Sequence, residues 1–354
     1  MNDNTGNADN RYTNNRYANT TNSGKINTAQ SSDRFIQQAG IALPVIGGAM
    51  YPCSNPELVA AISEAGGIGI VQPISLTYVH GHDFREGLRY IRTLTRQPVG
   101  MNALIEQSSK KYHERMVHWV ELALEEGVRF FVTSLGKPNW VVERVHKAGG
   151  VVYHDVTERK WALKAVDAGV DGLIAVNDRA GGHAGEKRYE VLFQELYDLN
   201  LPLICAGGVS TAEQFRDVLD VGYSGIQMGT RFIATEECNA SPAYKQAIVA
   251  ADESDIVLSE RITGIPVAII QTPYVRRTGT KAGFFARWML KGGVTKSIMR
   301  IFYTLRSLGQ LKRASLDKAG NMAYWQAGKS VGAIQSIQSV SEIMKPFKKI
   351  FEKP

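Results

Sequence analysis

From Leu43 onward one pattern recurs eight times, a short aliphatic run followed by an amphipathic stretch. Each pair takes roughly 25 to 30 residues, the span of a strand, a helix and their connections in a parallel sheet. The runs predicted as strands are Leu43–Gly47, Gly67–Val71, Pro98–Asn102, Arg129–Thr133, Val151–His154, Gly172–Val176, Pro202–Ala206 and Gly225–Met228. Between them Asn55–Ala65 opens on a capping residue with Pro56 at the first helical position, and Tyr112–Glu126 and Thr157–Ala168 carry helical apolar spacing. The phrases Glu64-Ala65-Gly66-Gly67, Lys147-Ala148-Gly149-Gly150 and Asp167-Ala168-Gly169-Val170 read as helix ends closed by glycine before the next strand. An open, doubly wound sheet shares this alternation. Eight units, with glycine motifs after the last strands, favour closure. The expected fold is α/β, a (β/α)8 barrel with a helical, basic C-terminal lobe and a disordered N-terminal tail.

Composition divides the chain. Residues 1–34 are rich in Asn, Thr, Ser and Asp and almost free of aliphatic side chains, so they are expected to stay disordered. Residues 35–240 form the barrel, 241–325 a mostly helical, basic lobe on the substrate side, and 326–354 a return to the barrel ending in a docking helix. The net charge of +7 is concentrated between Arg276 and Lys318, where only Asp317 opposes eleven cationic side chains. With no recognition motif among them, nucleic acid is not an expected partner. An acidic carrier, CoA phosphates, a membrane surface or simple solvation would each account for the charge. Cys53, Cys205 and Cys238 are widely spaced and offer neither a disulfide framework nor a thiolate metal site, and His80 and His82 lack a third ligand, so no metal is expected. Neither a signal-peptide core nor a membrane-spanning run is present in the sequence, and a cytoplasmic enzyme is expected, oligomeric or not.

In a closed barrel the active face lies at the strand C-termini. Ala206-Gly207-Gly208-Val209-Ser210 follows the seventh strand and Met228-Gly229-Thr230-Arg231 the eighth, two consecutive loops suited to a phosphate group. Gly181-Gly182-His183-Ala184-Gly185 follows the sixth, where flanking glycines leave the imidazole unshielded and able to move a proton near neutral pH. Gly47-Gly48-Ala49-Met50 and Tyr51-Pro52 follow the first; they leave room for a flat ring or form a plain turn. Gln72 and Asn102 end the second and third strands, and their amides either meet a heterocycle edge or cap a helix. Cys205 reads as barrel filling.

In order and spacing, Gly181-Gly182-His183-Ala184-Gly185, Ala206-Gly207-Gly208-Val209 and Met228-Gly229-Thr230-Arg231-Phe232 resemble the nitronate monooxygenase family, formerly 2-nitropropane dioxygenases, which includes flavin-dependent enoyl-ACP reductases and NADH:quinone reductases. The likeness runs from about Leu43 to Ala234 and returns at Trp325-Gln326-Ala327-Gly328-Lys329-Ser330-Val331-Gly332. It implies FMN at the barrel mouth, with the phosphate on Gly207, Gly208, Gly229 and Thr230. Ala206, Gly182 and Gly185 would lie beside the cofactor, Ala49 and Met50 against its ring and Asn102 at its pyrimidine edge. His183 would be the catalytic residue, with Gln72 and Tyr51 on the substrate side. Two positions depart from many relatives: Arg179, after Asn177 and Asp178, replaces an acidic residue, and Asp155 replaces a basic one. The resemblance implies oxidation of an alkyl nitronate by dioxygen to a carbonyl compound and nitrite. The alternative on this scaffold is NAD(P)H-dependent reduction of an enoyl thioester or a quinone. A flavin-free sugar-phosphate barrel would use the same glycine loops but leave Met50, Asn102 and His183 without a shared purpose.

Overall fold

The structure, a computed structural model, describes residues 28–106, 109–261, 265–281 and 324–352. Helix α1 (Thr28–Ala39) precedes eight parallel strands, β1 (Val45–Gly47), β2 (Ile68–Val71), β3 (Val99–Leu104), β4 (Phe130–Ser134), β5 (Val151–Val156), β6 (Gly172–Val176), β7 (Leu203–Ala206) and β8 (Gly225–Met228). Each strand pairs with the next, and β8 returns to β1 through Val45 with Ile226, Ile46 with Gln227 and Gly47 with Met228. The barrel is therefore closed, as expected. Helices α2 (Pro56–Glu64), α3 (Phe84–Leu94), α4 (Lys110–Glu125), α5 (Asn139–Lys147), α6 (Arg159–Asp167), α7 (Tyr189–Leu196) and α8 (Ala212–Val221) cover it. These strands are apolar on both faces because one face meets the barrel interior and the other the helices.

Alternation along the strands sends Ile46, Ile68, Ile70, Phe130, Val132, Tyr153, Ile174, Ile204 and Ala206 into one interior cluster. Phe35 of α1 joins it from the N-terminal end of the strands, edge-on to Tyr153 at 5.5 Å and 6.1 Å from the ring of Phe130. This corrects the tail boundary: residues 28–34 are the first turns of a helix, held there by one buried aromatic and by a hydroxyl contact between Ser31 and Ser224. Residues 1–27 lie outside the described residues. Asn55 stands at the head of α2 without capping it. Its Nδ2 donates to Glu57 Oε2 and the Glu237 carbonyl, and its Oδ1 accepts from Asn239 N, so it pins the segment after β8 to the first loop.

Beyond the barrel come α9 (Thr230–Ile233), α10 (Pro242–Ala250), β9 (Ile256–Ser259), β10 (Val267–Ile270), α11 (Pro273–Thr278) and α12 (Val340–Phe351). Strands β9 and β10 form an antiparallel hairpin inside the stretch expected to be mostly helical. Ile256, Val257, Val267, Ile269 and Ile270 are β-branched, which suits a sheet better than a helix. The chain then returns alongside β10, with Ile270 N donating to the Trp325 carbonyl and Ala327 N to the Ala268 carbonyl. Helix α12 docks on the barrel wall, its Phe347 ring 5.4 Å from Phe215 of α8. About half of the expected lobe, residues 282–323, lies outside the described residues. No described helix is long and apolar enough to cross a membrane.

Phe35 is fully buried, so Phe35→Ala leaves a cavity at the closed end of the barrel and is expected to cost about 3 to 5 kcal/mol. Urea or thermal unfolding of the full chain checks this; an unchanged midpoint would contradict the plug.

Candidate active site

At the opposite end the interior opens. In the register of the strands, Asn102, Ser134, Asp155, Val176 and Gln227 face inward one step beyond the sealed cluster. Ser134, Asp155, Val176 and Gln227 are partly accessible, whereas Ile46, Ile174 and Ile204 beneath them are fully buried. A recess therefore sits at the strand C-termini, where a barrel carries its chemistry. Asn102 is nearly buried, yet its amide has no partner among the described residues and is not sealed off. Gln72 plays a structural part, since its Oε1 accepts from Ser75 N at 2.6 Å at the start of the short helix Ser75–Val79.

The glycine loops meet the histidine loop around one side chain. Asn177, fully buried just after β6, donates from Nδ2 to the Gly207 carbonyl at 3.0 Å and accepts from Arg179 N at its Oδ1 at 2.8 Å. Its own carbonyl accepts from Gly185 N at 3.1 Å. Gly207 and Gly208 adopt φ of 118° and 84°, which only glycine reaches without strain. A Cβ on Gly207 would lie 2.5 Å from Asn177 Oδ1, and one on Gly208 2.6 Å from Arg179 Nε. Their small size thus lets the loops after β6 and β7 touch. Arg179 is itself tied to Glu253 by an ion pair, and its carbonyl accepts from Lys329 N.

Across the mouth, Gly229 heads α9, and Met50 Sδ would be 3.5 Å from a Cβ there. The first and last loops of the barrel therefore adjoin, with Ala49 and Met50 both partly accessible. Thr230 is buried, and its Oγ1 accepts from Gly328 N at 3.0 Å. Among the described residues, the backbone N–H groups of Gly208 and Gly229 donate to no protein acceptor. Two glycine amides left free at neighbouring strand ends suit an anion.

The His183 loop is clasped from outside. Gly182, at φ 69°, accepts at its carbonyl from Ala268 N of β10 at 2.7 Å, and a Cβ on Gly181 would press on Gly328 N and Ala327. A Cβ on Gly185 would lie 2.3 Å from the Val176 carbonyl, so this glycine folds the loop back onto β6. His183 is accessible, yet surrounding protein desolvates its imidazole and lowers its pKa. That combination marks a group in a recess, neutral to lower pH than a free histidine. Tyr51 packs toward Val267 and Ile269 of the hairpin, and burial pushes its hydroxyl up to about 12. Cys205 is buried with its thiol pushed up to about 12, which removes it as a nucleophile. His154 bonds through Nδ1 to Thr133 Oγ1 at 2.8 Å, and burial drives its pKa down to about 4, so it stays neutral.

Sequence reasoning missed Asn177 as the junction of the loops, and treated Asp155 only as a departure from relatives. A polar side chain just after an otherwise apolar strand was the available signal for the first, and the two-residue period from Val151 through Tyr153 for the second.

Comparison with known proteins agrees with this arrangement. The sequence model of the nitronate monooxygenase family matches residues 32–348. The chain is 28% identical over 237 residues to a Rhodococcus jostii protein named (3aS,4S,5R,7aS)-5-hydroxy-7a-methyl-1-oxo-octahydro-1H-indene-4-carboxyl-CoA dehydrogenase, covering 67% of this chain and 65% of that one. It is 25% identical over 288 residues to a probable nitronate monooxygenase of Staphylococcus saprophyticus, covering 70% of this chain and 80% of the relative. FabK from Thermotoga maritima superposes with a TM-score of 0.73 at 27% identity, over 90% of this chain and 97% of that one. With its closed barrel, its paired glycine loops and a family match spanning nearly the whole described chain, this protein is an oxidoreductase belonging to the nitronate monooxygenase family.

Proposed function

We propose that the chain binds FMN at the barrel mouth and oxidises alkyl nitronates with dioxygen to a carbonyl compound and nitrite, as a cytoplasmic enzyme. The observation that carries this reading is the junction at Asn177, which joins the His183 loop to a glycine loop with a free amide. The residues present suit the cofactor. The N–H groups of Gly208 and Gly229, with Gly207 and Thr230 beside them, would hold its phosphate. Asn102, whose amide is unengaged by described protein groups, would meet the polar edge of the ring, and Ala49 and Met50 would lie against its face. Gly182, Gly185 and Ala206 would shape the wall between ring and phosphate, and Gln72 and Tyr51 would border the substrate. Bound there, FMN supplies the redox chemistry.

The chain's own part is proton and charge management. A neutral His183 imidazole can remove the α-proton of a nitroalkane, or donate from its ring N–H to the oxygens of the anionic nitronate. Lowered pKa favours the first role, because the base stays unprotonated further into acid. The clasp of β10 on Gly182 fixes the loop that carries the imidazole.

A second reading is favoured by one finding: a relative is named as a dehydrogenase of a carboxyl-CoA compound. NAD(P)H-dependent reduction of an enoyl thioester, or of a quinone, would use the same cavity. Arg276 and Arg277 of α11 begin the basic segment that would suit such anionic partners. Anaerobic mixing separates the two, since rapid bleaching of the yellow protein by NADH or NADPH supports the reductase and bleaching by nitronate alone supports the monooxygenase.

His183→Asn is expected to leave the protein yellow while turnover falls by about 100-fold or more. Steady-state assays beside a visible spectrum check this, and full activity in the variant would remove His183 from the chemistry. In the wild type with a nitroalkane, the acid limb of kcat/KM should fall below the ordinary imidazole pKa; a limb at or above that value would contradict a desolvated base. Asn177→Ala strips the Gly207 carbonyl and Arg179 N of their partner, and is expected to cost about 1 to 3 kcal/mol of stability and to weaken FMN retention. Fluorescence titration of released flavin measures the latter; unaltered affinity would exclude Asn177 as the junction.

A further inference from the structure

Among the described residues, most buried polar atoms without a protein partner lie at one end of the barrel, with Glu195 Oε2 near the C-terminal end of α7 an exception. Among the described residues, side-chain atoms of Ser75, Tyr112, Trp140, Asp155 and Asp178 are buried and make no hydrogen bond. Ser75 follows β2, Tyr112 follows β3, Trp140 follows β4, Asp155 lies near the end of β5 and Asp178 follows β6, so all five lie toward the strand C-termini. An unsatisfied buried polar atom is costly, and a carboxylate oxygen more so than a hydroxyl. Of the five, Asp155 has the clearest placement. Val151 and Tyr153 of the same strand pack with the interior cluster, and the two-residue period turns Asp155 to the same face. It pairs in register with Ile174, itself interior. The residue is partly accessible although protein encloses its carboxyl, with Oδ1 unpaired, as on the floor of the recess rather than the outer surface.

We propose that Asp155 faces the bound cofactor from the floor of this cavity and there holds or releases a proton, a second ionisable group beside His183. The inference rests on the flavin reading above. Burial pushes the Asp155 carboxyl up to about 7, with no charged neighbour contributing. Adjacent positions on β4, Thr133 and Ser134, are uncharged, and Ile174, Ala175 and Val176 on β6 are apolar. The neutral His154 on β5 turns to the opposite face. The ionisable groups on the bordering loops are Lys137 after β4, Glu158 after β5, Asp178, His183 and Glu186 after β6, and Glu106 after β3 with Tyr112 in the first turn of α4, while Arg179, Lys187 and Arg188 are occupied by Glu253, Glu195 and Glu190. Below its pKa Asp155 is therefore a neutral acid that can donate a hydrogen bond to the ring. Above it, a carboxylate stands against a ring that gains electron density on reduction, so reduction draws a proton onto Asp155.

The test is the midpoint potential of the flavin in the full-length holoprotein, followed by dye equilibration from about pH 5.5 to about pH 8.5, on either side of the pKa. In the wild type the potential should fall more steeply with pH just above 7 than in Asp155→Asn. The extra step corresponds to roughly a tenfold change in the oxidised-to-reduced ratio. His183→Asn should keep the step, which assigns it to Asp155 and not to the imidazole. Parallel slopes in wild type and Asp155→Asn overturn the proposal. If Asp155→Asn does not fold, Asp155→Ser takes its place. Independently of either variant, the wild-type holoprotein should show a protonated-carboxyl infrared band that fades through pH 7; its absence also overturns the proposal. A colourless protein that takes up no FMN overturns the flavin reading itself, and so fails differently from a yellow protein with parallel slopes.

Discussion

Asn177 is a short amide at the point where a strand ends, and three backbone segments depend on it. Its Nδ2 holds the Gly207 carbonyl, its Oδ1 holds Arg179 N, and its main-chain carbonyl holds Gly185 N. The side chain is fully buried, and its loss leaves the Gly207 carbonyl and Arg179 N without the partner that joins the two loops. Gly207 and Gly208 have no Cβ because Asn177, Ala180 and Arg179 occupy that space. The histidine loop and one glycine loop are thus a single packed unit, and the chemistry assigned to them depends on that unit staying intact.

The two ends of the barrel carry opposite instructions. At the N-terminal end Phe35 and the rings of Phe130 and Tyr153 fill the interior. At the C-terminal end the inward positions turn to Asn102, Ser134, Asp155 and Gln227, and the packing stops. Desolvation by the surrounding protein lowers the pKa of the accessible His183, and burial raises that of Asp155, drawing both toward their neutral forms. The hairpin of β9 and β10 and the return at 324–328 then close the outer side of the histidine loop through Ala268 and Gly328. Residues far from the barrel in sequence are therefore part of how His183 is held.

Much of this was legible in the sequence because both periodic signals were strong. Eight short apolar runs, most of them bounded by glycine, marked the eight strands, and the glycine motifs after the last three lie at the strand C-termini, the end at which a barrel carries its chemistry. What escaped notice has identifiable reasons. Helix α1 is mostly polar, and Phe35, the large buried anchor among its described side chains, lies outside the stretch assigned to the tail. The hairpin strands are four residues each, too short for alternation to stand out beside a helical neighbour. Asn55 and Gln72 illustrate how ambiguous an amide is: the first looked like a cap and instead ties two loops, while the second does cap a short helix. Asn177 could not be distinguished from a loop residue until the strands were in place, because its bonds reach thirty residues along the chain.

The chemistry assigned to this chain requires the histidine loop and the glycine loops to open on one cavity that holds FMN. A crystal structure of the full chain grown with FMN tests this most directly. It should place the phosphate on the N–H groups of Gly208 and Gly229, with the His183 imidazole turned toward the same cavity. A phosphate bound elsewhere, or an imidazole turned to the outer face of the barrel, would contradict it.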